Sequence, residues 1–297
     1  MSAEPEIGRR RFLAGLATAP LLGAVPARAA APKRIACLDY AGASTLLALG
    51  ITPIAVASLD GWAKWVGKPQ MPEGVADLGS SWEISFEVLA ALQPDLILTS
   101  PFLAHLTPRL EHYAPVLSLD VYTAEDGPVL TRAIAATRRL GQAIGREEAA
   151  TAFLQQADRM FEDCAATLGG SETPPVAIIS FLDERHVRIY SAPGLYDSVL
   201  ERLGVANAWP GAANVWGYET IAIADLARIA DPKTALVVIE PLAADILPSL
   251  ERSPLWRALP FTARERLVVI PPVLLFGMVN EATRFARLFT TAMAERA

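Results

Sequence analysis

The residues that could carry out chemistry are few, and their spacing does not suit it. The three histidines are His105, His112 and His186. His105 and His112 stand seven apart. On a helix that puts both on one face two turns apart, and two ligands from one face leave a metal site incomplete. They are expected as surface or packing residues. The acidic pairs Asp183 with Glu184 and Glu147 with Glu148 are chain neighbours, and neighbours on a helix point to different faces, so they are expected as solvated charges. No G-x-S-x-G elbow, phosphate-cradling glycine loop, C-x-x-C or H-E-x-x-H occurs. No catalytic residue is assigned, and the chain is not expected to be an enzyme.

Aromatic side chains are the remaining signal. Trp62 and Trp65 sit in "LDGWAKWVGKPQMPEG", Trp82 in "LGSSWEIS", and Trp209, Trp216 and Tyr218 in "NAWPGAANVWGYET", all in Gly- and Pro-bearing segments between regular elements. A ring on a loop that covers no core can cover a ligand. Packing at the sheet ends is the competing expectation, most readily for Trp82 and Trp209.

The elements that must position these loops follow an alternation. In the first half "RIACLD", "PIAVAS", "DLILTS" and "VLSLDV" have strand character, with helical runs "GASTLLALG" and "SFEVLAALQ" among them. Such alternation predicts an α/β sheet. Residues 127–168 are helical in pattern, with Gly145 as the position expected to break it. After "GGSETPP" the alternation returns: "VAIISFL", "HVRIYS", a helix over Leu195–Leu203, "TALVVIEP", a helix near Ala243, "RLVVIPP" and a last helix from about Met278. The prediction is an α/β fold with lobes at 30–126 and 169–297, joined by the helical segment 127–168.

Residues 1–29 are expected to be a signal peptide. An Arg cluster precedes a short apolar run and an Ala27-Arg28-Ala29 cleavage site, and Arg9 and Arg10 resemble the twin-arginine export signal. The apolar run is shorter than the roughly 20 residues a bilayer span needs, and no cysteine lies near the cleavage site to carry a lipid. A soluble periplasmic protein is expected. Without residues 1–29 the chain holds 22 basic and 30 acidic residues, a formal net charge of −8, which argues against a nucleic-acid partner. Cys37 and Cys164 are expected as buried thiols rather than a disulfide, although the compartment permits one.

Four segments, "LLALGITPIAVA", "DLGSSWEISFEVLAALQPDLILTS", "NAWPGAANVWGYETIAIADLARI" and "SPLWRALPFTARERLVVIPPVLLFG", follow in order the pattern of the periplasmic iron-siderophore binding proteins of ABC importers. The chain most resembles those of ferric hydroxamate (ferrichrome) type. The resemblance implies two Rossmann-like lobes joined by a single long helix, the class III arrangement of periplasmic binding proteins, with a shallow cleft that closes little. It also implies a ferric siderophore as ligand, with the iron held by the siderophore and no cofactor or protein metal site. A haem or cobalamin carrier of the same class is a second reading, and an exported siderophore-processing enzyme a third.

Residue by residue, the resemblance places Trp65, Asn214, Trp216, Tyr218, Leu274 and Phe276 around the ligand. Trp65 and Trp216 would give ring faces, and Asn214 a hydrogen bond. The ferrichrome binders' anchoring Arg and Tyr fall on Ser81 and Leu103, and two further aromatic positions fall on Thr99 and Leu274. A guanidinium suits clustered oxygen acceptors, whereas Ser81 offers one neutral donor. These departures point to a siderophore other than ferrichrome, recognised more by apolar contact. One acidic residue per lobe docks such proteins on their inner-membrane ABC permease, and the matching positions are Glu87 and, less directly, Asp225, which stands beside Ala224 at the motif position. A monomer is expected.

Overall fold

Ile35, Ala36, Cys37 and Leu38 are all buried, yet successive residues belong to different cores. A strand points its side chains alternately to its two faces, so an unbroken apolar run marks a strand covered on both sides. This strand is β1 (Ile35–Cys37), the centre of the first sheet in the computed structural model, which describes residues 31–124, 127–169, 173–262 and 266–296. The expected signal peptide lies outside the described residues.

After β1 come α1 (Tyr40–Ala48), β2 (Ala55–Val56), α2 (Trp62–Trp65), β3 (Ala76–Asp77), the hairpin β4 (Gly79–Ser80) and β5 (Glu83–Ile84), α3 (Phe86–Leu92), β6 (Leu96–Thr99), α4 (Thr107–Leu110) and β7 (Val116–Ser118). The sheet order is β3-β2-β1-β6-β7, with every pair parallel.

The segment expected to link the lobes is helical, and its break at Gly145 is complete. α5 (Val129–Ala143) ends there and α6 (Glu147–Gly169) starts afresh, so the long helix of this segment is α6 alone. Gly145 takes φ +66, a left-handed turn natural to glycine. A side chain at Gly141 would bring its Cβ to 2.6 Å from that of Ala150, so glycine is what lets the two helices meet closely.

The second sheet holds β8 (Val176–Phe181), β9 (His186–Tyr190), β10 (Tyr218–Ala222), β11 (Ala235–Ile239) and β12 (Leu267–Ile270), in the order β10-β9-β8-β11-β12. It is mixed: β8, β11 and β12 run parallel, while β9 and β10 are antiparallel to their neighbours. Its helices are α7 (Leu195–Leu203), α8 (Ile246–Glu251), α9 (Pro254–Ala258) and α10 (Val279–Ala294). Val237 and Ile239 of β11 face one core while Leu236 and Val238 face another.

One core joins the two sheets. It takes the inner face of each, together with α1, α5, α6, α7 and α10. Among the buried side chains of α10, the apolar Val279, Ala282, Phe285, Ala286, Phe289 and Met293 recur at three- and four-residue spacing, which gives the stripe a packed helix needs. Cys37 in β1 and Cys164 in α6 are both buried free thiols, as their apolar settings predict.

Candidate functional site

A cavity of about 180 Å3 opens where the chain leaves the carboxyl ends of β1, β6 and β7. Its wall takes Leu38, Asp39, Tyr40 and Ala41 after β1, Ser100, Pro101, Phe102 and Leu103 after β6, and Leu119, Val121 and Tyr122 after β7. Ser81 comes from the β4–β5 hairpin, Trp216 from just before β10, and Leu274, Phe276 and Met278 from the segment between β12 and α10. In open α/β sheets ligands bind outside the carboxyl ends of the strands.

Four rings of the wall touch one another. Trp216 and Phe276 meet edge to face at 5.5 Å and 80°, Phe102 meets Trp216 at 5.6 Å and 86°, and Tyr122 meets Phe276 at 5.6 Å and 88°. Phe102 and Phe276 stack at 6.4 Å, as do Tyr122 and Trp216. Edge-to-face pairs at these separations are favoured by the ring quadrupole. Two rings come from the first half of the chain and two from the second, so the cluster spans the cleft between the sheets.

Backbone hydrogen bonds hold the rings in place. The Tyr122 hydroxyl donates toward the carbonyls of Leu275 (2.7 Å) and Gly277 (2.9 Å), and the Tyr196 hydroxyl donates to that of Val273 (2.8 Å). These anchors aim Leu274 and Phe276. The loop bearing Trp216 is pinned by Asn214, whose Oδ1 accepts from the backbone N–H of Trp216 at 2.9 Å and of Tyr218 at 3.4 Å. Gly217 follows at φ +81, and a Cβ there would lie 2.2 Å from the Gly194 Cα. Only glycine fits.

Among the described residues Asp39 is the one charged group on the wall, and no Lys, Arg or His lines the cavity. Its carboxylate caps α1 by accepting from the Gly42 N–H at 2.8 Å. Burial raises its pKa above the ordinary carboxylate value, partly offset by the Gly42 and Ser100 hydrogen bonds. Tyr40 donates its hydroxyl to the Ser58 carbonyl, and burial, with Asp60 nearby, pushes its pKa up to about 12. Burial likewise raises Tyr122, so its hydroxyl keeps the proton it donates. The site can offer ring faces, a few neutral donors and one acidic group.

Of the ligand residues expected from sequence, Ser81, Leu103, Trp216, Leu274 and Phe276 come together on this wall, while Trp65, Asn214 and Tyr218 do not line it. Trp65 is half-buried in α2 with the Lys64 ammonium 4.9 Å from its ring centroid. Asn214 gives its acceptor to its own loop, and Tyr218 enters β10 opposite Tyr190 with the Arg188 guanidinium 4.9 Å from its ring. Thr99 is fully buried, and Phe102, three residues on, supplies a ring instead. Phe102 and Tyr122 are lone rings, without the neighbouring aromatics and glycines that mark the Trp216 loop. Their position just past a parallel strand is the signal that could have found them.

The expected packing role holds for Trp209, which is buried with the Arg228 guanidinium 4.4 Å from its ring. It fails for Trp82, which is 72% exposed. His105 and His112 are exposed, and His186 pairs with Asp183 at 3.1 Å. No group of three or more His, Cys, Asp or Glu able to hold a metal occurs among the described residues.

Two α/β sheets on a shared helical core, with a ring-lined cleft between them, define a bilobed binding protein. The chain belongs to the periplasmic binding protein family, whose model matches residues 35–274. It is 29% identical to the iron(3+)-hydroxamate-binding protein FhuD of Escherichia coli (strain K12) over 301 aligned positions, covering 100% of both chains. It is 30% identical to the achromobactin-binding periplasmic protein of Dickeya dadantii (strain 3937), covering 89% of this chain and 88% of that one. Among solved structures, the siderophore-binding protein FhuD of Vibrio cholerae bound to Fe3+–Desferal superposes with a TM-score of 0.82 at 27% identity, covering 89% of this chain and 99% of that one.

Proposed function

We propose that this protein is a periplasmic substrate-binding protein that captures a ferric siderophore of hydroxamate type between its lobes and delivers it to an ABC importer. The observation that carries the reading is the cluster of Phe102, Tyr122, Trp216 and Phe276 on a wall without a cationic side chain. A ferric tris-hydroxamate is uncharged at its iron centre and presents apolar spacers, which rings bury well. A tris-catecholate carries several negative charges, and this wall offers no cation to balance them. The full-length similarity to hydroxamate-binding relatives supports the same class.

In this reading the iron stays in the siderophore's own oxygen shell, and the protein performs no covalent chemistry. The lobes, 30–126 and 169–297 around the segment 127–168, act as a monomer exported by the twin-arginine signal without a lipid anchor. Glu87, exposed in the first turn of α3, and Asp225, exposed while accepting the Ala222 N–H at 3.0 Å, dock on the permease. Trp65, Asn214 and Tyr218 would reach a ligand only from beyond the cavity wall.

The test is a tryptophan-fluorescence titration with hydroxamate, mixed and catecholate ferric chelates. Saturable binding confined to the hydroxamates is expected, and no response to any of them would refute the ligand class. A haem or corrinoid spectrum on the purified protein would instead support a carrier of those ligands.

A further inference from the structure

Trp82 is the most exposed large apolar side chain among the described residues. It belongs to none of the hydrophobic cores. The hairpin that carries it is nevertheless firmly held. Ser85 donates its N–H to the Leu78 carbonyl at 2.7 Å, Ser58 donates to the Gly79 carbonyl at 2.7 Å, and the Ser81 N–H donates to Ser58 Oγ at 3.0 Å. The turn therefore sends neighbours to different places: Ser81 onto the cavity wall, and Trp82 outside it against Phe102, with ring centroids 4.7 Å apart at 70°. Phe102 and Phe276, themselves 41% and 39% exposed, continue the apolar surface across the mouth.

Size decides what that surface is for. Pockets that enclose a drug-sized ligand run to about 300–1,000 Å3, and this cavity holds about 180 Å3. A chelate wrapped around one iron must lie partly outside, and the rings at the mouth are what it meets there. We propose that Trp82 is a ligand-contact residue that determines specificity: with Phe102 and Phe276, it covers the organic periphery of the chelate that the cavity leaves outside. The inference rests on the ferric-siderophore reading and adds to it that the preferred ligand bears apolar spacers able to lie on an indole.

The test uses the full protein with ferric desferrioxamine, comparing wild type, Trp82→Ala and Trp82→Phe by equilibrium titration, with thermal unfolding alongside. Trp82→Ala is expected to weaken binding about tenfold, beyond the roughly fivefold that separates important contacts from the neutral majority, with an unchanged melting temperature because the ring packs on no core. Trp82→Phe should recover most of the affinity. In parallel, acrylamide quenching with the gallium(III) chelate, which lacks iron's charge-transfer absorption, should show the Trp82 contribution, identified by its loss in Trp82→Phe, becoming shielded on binding. Equal affinity in wild type and Trp82→Ala, or a Trp82 that stays open to acrylamide in the complex, would overturn the inference and leave the siderophore reading intact. Failure of wild type to bind any ferric chelate would defeat that reading instead.

Discussion

The hydroxyl of Tyr122, just past the last strand of the first sheet, donates toward two carbonyls of the segment that carries Phe276, Leu275 at 2.7 Å and Gly277 at 2.9 Å. One side chain thus supplies a ring to the cleft and ties together the two halves that form it. Tyr122→Phe should keep the ring and lose the tie. Leaving buried acceptors unpaired costs about 1–3 kcal/mol, so chemical denaturation should show a loss of that order, with a smaller loss of ligand affinity. Unchanged stability would mean that the tie contributes nothing.

Gly217 sets the direction of Trp216. Its φ of +81 already disfavours any side chain, and a Cβ would sit 2.2 Å from the backbone of Gly194. Left-handed backbone at a non-glycine residue costs roughly 1–3 kcal/mol, and the clash adds to it. Gly217→Ala should lower the melting temperature and weaken binding together. A variant with wild-type stability and affinity would show that the close approach of the two loops is not required.

Glu281 gives a pH dependence with a definite sign. It is fully buried at the start of α10, accepts from the Met278 N–H at 2.8 Å, and burial raises its pKa above the ordinary glutamate value. The folded state therefore binds the proton more tightly than the unfolded chain, and stability falls as pH rises from the unfolded value of about 4.3 through the raised folded one. Glu281→Gln removes the titrating charge, keeps one acceptor for the Met278 N–H and gives up the one that Oε1 offers Asn280 Nδ2 at 3.1 Å. Its melting temperature should therefore fall less than that of wild type as pH rises from about 4 to neutral. Equal melting temperatures at every pH would remove the desolvated charge from the account.

Cys37 and Cys164 are buried free thiols, and burial raises Cys37 well above its usual pKa. Since the thiolate is the reactive form, a thiol reagent should label neither in the native protein and both after denaturation. Rapid labelling without denaturant would contradict their burial.

The elements that pack on both sides were the most legible part of the sequence. The run containing Ile35–Leu38 and that of Ala235–Ile239 are strands, and α7 covers Leu195–Leu203 as its periodicity indicates. The two-residue strands β3, β4 and β5 were not legible, because two residues carry no alternation to detect. β10 was hidden for a different reason: its first residue, Tyr218, looks from its neighbours like part of the preceding Gly-rich loop. On the wall, Trp216 was marked by its aromatic loop, and Ser81, Leu103, Leu274 and Phe276 by likeness to a family, whereas Phe102, Tyr122 and Asp39 reach it through topology. That three parallel strands end side by side is a property of the sheet order and cannot be read from any one segment.

The most direct test of the ring-lined cleft is the dissociation constant of ferric desferrioxamine for wild type and for Trp216→Ala, whose ring meets Phe102, Tyr122 and Phe276. Saturable one-to-one binding by wild type, weakened in the variant by more than about 1 kcal/mol, roughly fivefold, is the predicted result. Equal affinity in the two proteins, or none in wild type, would contradict it.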